Sequence, residues 1–334
     1  GTAGASGNAG TSGGHVLVTV SGTAAPHPLN ALVATPVATD GGTTDAAATD
    51  AAATDAASTD AAAADAASTD ATDATSTDAA SSEAGGVATN ADFSQLKVSI
   101  VDPTAVITNP NAPPLASTTL DTSAANCTAA GCAFSLTGVD ITNQTLGLVG
   151  TLEDKRTGDA RLWVKTGTGM GTKAFIDSVK VSKAPIMDRR AFIVSRKLEA
   201  KLVTFVNAVL GTTVLGTTLV PGDLEARGFL IGHVLDKLST ATTPAGPAGV
   251  AGATVTAQGA FDVIYPNATF TGKGTATAAS GLFLMVPKLV NGAAQAVVTN
   301  WMVVPPTGDA RTWEAHLAGT NPGNAFIIIM PANE

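Results

Sequence analysis

Few residues in this chain have types and spacings that can do chemistry. Its two cysteines lie close together in Ala125-Asn126-Cys127-Thr128-Ala129-Ala130-Gly131-Cys132. A thiol pair this close either staples a loop or supplies half of a zinc site. Zinc needs two further ligands, and no histidine pair lies nearby in the sequence. A Cys127–Cys132 disulfide in an oxidising compartment is therefore expected. His15, His27, His233 and His316 are scattered, and none sits in an H-E-x-x-H pattern. The Gly10-Thr11-Ser12-Gly13-Gly14 stretch has the letters of a nucleophile elbow. Such an elbow needs a strand before it and a helix after it, and a glycine-rich spacer offers neither. Gly167-Thr168-Gly169-Met170-Gly171-Thr172-Lys173 fails the spacing of a phosphate loop and reads as a flexible turn. The carboxylates form no paired motif, and Asn126, Asn143 and Asn267 head glycosylation sequons. No catalytic, cofactor-binding or metal-binding residue is assigned, and the chain reads as non-enzymatic.

These residues sit in an acidic chain of unusual composition. Of 334 residues, 45% are hydrophobic and only 4% aromatic, and the formal net charge is −9. Nine of the 27 acidic residues fall between Gly41 and Gly86, in a Thr-Asp-Ala repeat; the remaining 18 balance the 18 Lys and Arg. The net acidity thus resides in one low-complexity insert, spanning 37–91, which reads as solvated and mobile. With no basic face, nucleic acid is not an expected partner. No run reaches the ~18 apolar residues that span a bilayer, so no transmembrane segment is expected. The opening residues 1–14 read as a flexible spacer, such as follows a removed signal peptide or a lipid anchor upstream of Gly1.

Elements follow from periodicity. Strands are expected at His15–Val20, Phe93–Val101, Ala105–Ile107, Ala133–Val139, Leu146–Thr151 and Ala160–Lys165, the last two as a hairpin. His27–Val33 reads as a further extended piece. Between Arg190 and Leu210 the apolar residues recur at helical steps, with Asp188 as N-cap and Gly211 as stop. Leu224, Ile231, Leu235 and Leu238 imply a second helix, completing a helical hairpin. A Thr/Pro/Gly/Ala linker at 239–248 leads into the terminal β unit. The fold class is mainly β: two small β-sandwich domains with a helical hairpin between them and the acidic insert. The domains are 15–166, interrupted by the insert; 167–243, the helical hairpin; and 244–334, the second sandwich.

The terminal unit opens Gly249-Val250-Ala251-Gly252-Ala253-Thr254-Val255 and continues to Thr277, Gly281, Phe283, Leu284 and Pro287. In these residues it resembles carboxypeptidase-regulatory-like domains, with Ala278 where that family usually has Asp. A fainter copy runs through Pro28-Leu29, Ala31–Val33 and Gly131–Gly138. The resemblance implies a transthyretin-like β-sandwich, usually a non-catalytic accessory, and transfers no active-site residue.

The most hydrophobic run is Phe326-Ile327-Ile328-Ile329-Met330. It is either a central strand of its own sandwich or a strand that adds to a neighbouring subunit. The second choice makes the chain an exported bacterial cell-surface or extracellular structural or adhesive protein, self-assembling by strand addition. The alternative is a glycan- or protein-binding accessory, or a processing enzyme of the envelope. Expected partners are further copies of the chain, or an envelope protein or glycan. With Trp163, Trp301, Trp313 and Tyr265 its only indole and phenol rings, the glycan case is modest.

Overall fold

The computed structural model describes residues 14–33, 91–109, 111–128, 130–237 and 248–333. The N-terminal spacer, nearly all of the Gly-x-Ser-x-Gly stretch, the acidic repeat and nearly all of the 239–248 linker lie outside them. Seventeen strands are present: β1 (Leu17–Pro26), β2 (Leu96–Val101), β3 (Ala116–Thr119), β4 (Cys127–Thr128), β5 (Gly131–Asp140), β6 (Leu148–Asp154), β7 (Trp163–Val164), β8 (Thr166–Gly171), β9 (Ile186–Ser195), β10 (Phe229–Leu235), β11 (Thr254–Thr256), β12 (Phe261–Pro266), β13 (Lys273–Gly274), β14 (Leu282–Pro287), β15 (Val297–Val304), β16 (His316–Thr320) and β17 (Ala325–Pro331). The helices are α1 (Pro103–Thr108), α2 (Lys173–Ser182), α3 (Arg196–Leu215) and α4 (Asp223–Arg227). The protein is mainly β.

The spine is a nine-stranded sheet in the order β13-β12-β14-β10-β17-β8-β6-β2-β3. At one end it faces a five-stranded sheet, β4-β5-β1-β9-β7, and at the other a three-stranded sheet, β11-β15-β16. Three cores result. Leu96, Val98, Ile100, Leu152, Met170 and Ile176 pack against Val20, Val139, Ile186 and Trp163 in the first. Leu198, Leu202 and Phe205 of α3 cover Phe229, Ile231, Leu284 and Ile327 in the second. Leu230, Val234, Phe283, Met285, Ile328 and Met330 meet Val255, Trp301 and Ala318 in the third. Strands β10, β14 and β17 therefore bury both faces, which explains their nearly unbroken apolar sequences. Each fully buried Leu, Ile or Phe contributes roughly 1.5–3 kcal/mol of hydrophobic stabilisation.

Several local expectations are corrected. Residues 229–235 form β10, not the second arm of a helical hairpin; only α4 precedes it as a helix. A four-residue step such as Ile231 to Leu235 stays on one face of a strand as it does on one face of a helix, so the spacing fits both. Helix α3 starts at Arg196, where the Ser195 side chain accepts a hydrogen bond from Leu198 N. Asp188 lies within β9 at a positive φ of 56°. Gly211 does break the helix, at φ 68° and ψ 172°, an extended left-sided conformation open to glycine. By length and composition α3 could cross a membrane; here Leu198, Leu202, Val203, Phe205 and Val206 are buried against the sheet.

Residues 105–107 belong to α1, started by Asp102, whose carboxylate accepts from Thr104 N, and by Pro103 in the first turn. Pro28–Leu32 is a short 3-10 turn rather than an extended piece. Gly167–Gly171 is not a flexible turn but most of β8, inside the long sheet. β6 pairs with β8, while β7 pairs with β9, so the expected hairpin between 146–151 and 160–165 is replaced. β8 runs across the expected domain boundary at 166/167, and β17 lies between β10 and β8 in one sheet; the expected boundary at 243/244 lies outside the described residues.

Candidate functional site

Cys127 and Cys132 form the expected disulfide, with an S–S distance of 2.02 Å. They face one another across the β4–β5 ladder, so the bridge closes the turn between these strands. Phe326–Met330 fills β17. This strand pairs in parallel with β10 along its whole length and with β8 from Ala325 to Ile327. Ile327 is completely buried and Ile328 is 4% exposed. The run thus takes the first of its two expected places, a central strand of its own sheet, paired on one side along its length and on the other over its first three residues. Among the described residues no cluster of three or more metal-ligating side chains occurs.

The histidines do not all remain apart. His27 Nε2 lies 2.9 Å from His233 Nε2, and His27 Nδ1 accepts from Leu29 N at 3.3 Å. A neutral His27 then carries its proton on Nε2 and donates it to His233. The His233 ring also donates to the main chain of Ser280. Burial, and secondarily the neighbouring His233, lowers the pKa of His27 well below its ordinary value. Burial brings His233 to about 4, against a smaller upward push from Ser280. Both rings are thus neutral at physiological pH. They join β10 to the start of the turn after β1, a structural role that sequence spacing does not reveal.

A cleft of about 980 Å³ lies across the outer face of β2, β6, β8 and β17, walled by β16 and the 314–324 segment. Its floor can be read from strand register. Lys97 lies opposite Glu153, Ser99 opposite Thr151, and Val101 opposite Val149. Thr151 in turn faces Gly167, Val149 faces Gly169, and Gly167 faces Phe326. The floor therefore grades from a charged row, through a hydroxyl row, to an apolar row. Along β8 it has no side chains at Gly167 and Gly169. The Phe326 ring lies over Gly167, 2.9 Å from where a Cβ would stand, whereas a Cβ at Gly169 would meet nothing within 4 Å. A bare strand of this kind lets a ligand or another backbone approach closely.

The polar groups of the cleft are unevenly satisfied. Arg189 stacks its guanidinium 4.3 Å above the Phe175 ring. Arg189 Nε and Asn321 Oδ1 are buried without a hydrogen-bond partner, and both residues line the cleft. Burial lowers the pKa of Arg189, with Asp188 opposing. Lys173 pairs with Asp177. His316 stands on the wall strand, its pKa lowered by burial and partly restored by Glu314. Trp163, Trp301 and Tyr265 are buried, and Trp313 is partly buried beneath Arg311, so none of these rings lines the cleft. The sequence pointed away from this site: its glycines read as a turn, and its polar residues are spread between positions 97 and 333.

No family model and no curated protein matches this chain. Among solved structures, the shaft pilin SpaA from Lactobacillus rhamnosus GG is similar over 72% of this chain and 85% of its own, at 10% identity and a TM-score of 0.18. A likeness of that size carries no argument about fold or function.

Proposed function

We propose that this chain is an exported, non-catalytic bacterial cell-surface or extracellular protein whose work is binding, with the β2/β6/β8/β17 cleft as its ligand site. The observation that carries this reading is the bare floor position at Gly169, left open in a cleft also lined by Arg189 and Asn321, whose Nε and Oδ1 are buried and unpartnered. Buried polar atoms are normally satisfied; these two are shielded as they stand, and a ligand satisfies them where their side chains turn into the cleft. The disulfide supports an oxidising location. The test is equilibrium binding of peptide and oligosaccharide panels to the full chain and to Gly169→Phe, which fills the floor from an open position. Binding that the variant loses supports the cleft; binding equal in both sinks it.

The Gly249–Pro287 unit remains a proposed carboxypeptidase-regulatory-like accessory. Its two halves are tied by Thr277, whose hydroxyl donates to Val250 O at 2.5 Å and accepts from Ala253 N at 3.0 Å.

A structural, self-assembling role is a second reading, moved from β17 to the three-stranded sheet. Val298, Met302, Val304 and Leu317 are exposed there and share the outward face of β15 and β16. Light scattering and electron microscopy of wild type and Met302→Glu test it: polymers lost in the variant support assembly through this face.

A further inference from the structure

The cleft reaches the edges of two strands as well as their faces. Successive residues of a strand point to opposite sides. Yet Gly169, Met170 and Gly171 of β8 all line the cleft, as do Ile328 and Ile329 of β17. The reason is a fork in the sheet. β17 pairs with β8 only as far as Ile327↔Thr168, while its ladder with β10 continues to Pro331. Beyond Thr168 the two parallel strands share no ladder, and among the described residues the facing edge of β17 from Ile328 to Pro331 has no strand partner before Ala332 bridges to Trp313. An unpaired ladder edge is a template for another extended chain.

The charge of the site narrows the ligand. Lys97, Lys165, Lys173 and Arg189 line the cleft against Glu153 and Glu314, so cations prevail in a protein whose formal net charge is −9. Among the described residues Lys97 and Lys165 make no ion pair, although Lys97 sits opposite Glu153 in the ladder. An oligosaccharide site would use exposed indole or phenol platforms, and the cleft contains none.

Building on the cleft-binding function proposed above, we infer that the fork between β8 and β17 takes up an extended, acidic peptide segment of another protein, added as a strand. Its main chain pairs along the open edge of β17 near Ile329. An apolar side chain lies over Gly169, among Val149, Val101 and Ile328. Its carboxylates face Lys97 and Lys165.

The experiment uses the full chain and short capped peptides that alternate apolar residues with Glu or Asp, read by fluorescence anisotropy. Amide hydrogen exchange at Ile329, the first β17 amide on that edge beyond the β8 ladder, is followed in parallel. The expected result is saturable binding, with slowed exchange at that amide. Methylating alternate peptide nitrogens weakens binding roughly tenfold or more, since each lost hydrogen bond counts for about 0.5–1.5 kcal/mol. Raising salt from ~0.1 to ~1 M weakens it further. Gly169→Phe abolishes it while its circular dichroism and melting stay those of the wild type.

Other outcomes separate the two readings. Peptide binding indifferent to Gly169→Phe overturns both the fork and the cleft as the site. Oligosaccharide binding that Gly169→Phe blocks, with no peptide binding, keeps the cleft and overturns the peptide. Self-association that Gly169→Phe blocks makes a second copy the occupant and overturns the foreign peptide. Absence of binding by every probe overturns both.

Discussion

The imidazoles of His27 and His233, 206 positions apart in sequence, meet Nε2 to Nε2 at 2.9 Å. His27 is buried at 1% exposure, and its ring edge packs on Phe192 at 5.6 Å between centroids. Only one proton fits between the two nitrogens, so the rings cannot both be protonated while the contact holds, and with His27 Nδ1 accepting from Leu29 N the arrangement is that of two neutral rings.

Acid should therefore weaken the fold before carboxylates become protonated. Both pKa values are lowered in the folded chain, His233 to about 4 and His27 downward as well. The unfolded chain takes up these protons near pH 6.5, and the folded chain does not. Stability is full above about pH 6.5 and is lost as the pH falls toward and through 4, by a few kcal/mol in all. Asp140 and Asp309, held near 2 by hydrogen bonds from Thr142 and Arg311, act mainly at lower pH. Glu199, raised by burial, opposes the histidines. Urea midpoints at pH 7.5 and 4.5 check the prediction. The wild type should show a clear drop, and His27→Phe/His233→Phe a smaller one. Equal slopes in the two proteins would remove the histidines from the account.

Arg156 holds the first core closed from its edge. Its Nη1 reaches Asp92 at 2.5 Å and its Nε reaches Asp154 at 2.8 Å, and the Asp154 side chain is fully buried. Asp154 Oδ2 also accepts from Leu162 N at 2.8 Å and Trp163 N at 3.2 Å. Arg156→Ala strands a buried carboxylate and should cost roughly 3–5 kcal/mol. Arg156→Lys keeps the charge without the fork geometry and should fall between. Thermal melting of the three proteins gives the order directly; an unchanged alanine variant contradicts it.

The disulfide should matter locally. Cys127 and Cys132 are five positions apart, so the loop they close is small. On the chain-entropy account the bridge contributes about 2 kcal/mol. Reduction of the wild type and the Cys127→Ser/Cys132→Ser variant should both melt lower by that amount, with far-ultraviolet circular dichroism preserved. A reductant effect that persists in the double variant would rule out the bridge as its cause.

The terminal strand should be needed for folding. Ile327 has no exposure and lies where β10, β17 and β8 run side by side. Ile327→Ala should cost roughly 2–5 kcal/mol through the cavity it leaves. Deleting 326–334 should give an unfolded or aggregated chain rather than a folded monomer. Leu317→Ser, at a position 42% exposed, should stay within about 0.5 kcal/mol of wild type. A soluble, cooperatively melting deletion variant would restore a separable role for this strand.

Much of the β content was legible in local pattern. The β-branched run at 16–20, the alternation in 96–101 and the apolar runs at 282–287 and 325–330 all became strands, because those side chains suit a pleated, buried surface. The close cysteines sufficed for the bridge, since a loop that short brings them together whatever the rest of the chain does. Local signals also misled where two mechanisms share one pattern. Asp102-Pro103 ends a strand and starts a helix. Ile231 and Leu235 fit a helix stripe as well as a strand buried on both faces. Gly167, Gly169 and Gly171 look like a turn until neighbouring strands are seen to hold them.

What the amino-acid sequence determined by itself was the class of structure, the cysteine pairing and the confinement of net charge to one segment, each of which depends on residues near one another in the chain. Tertiary structure alone decided that β17 enters in parallel between β10 and β8, because that choice depends on pairing energy summed along three distant strands. The cleft, its fork at Thr168 and the His27–His233 contact all follow from it or from equally long-range packing. No periodicity in the chain records where two strands part or which two side chains meet there.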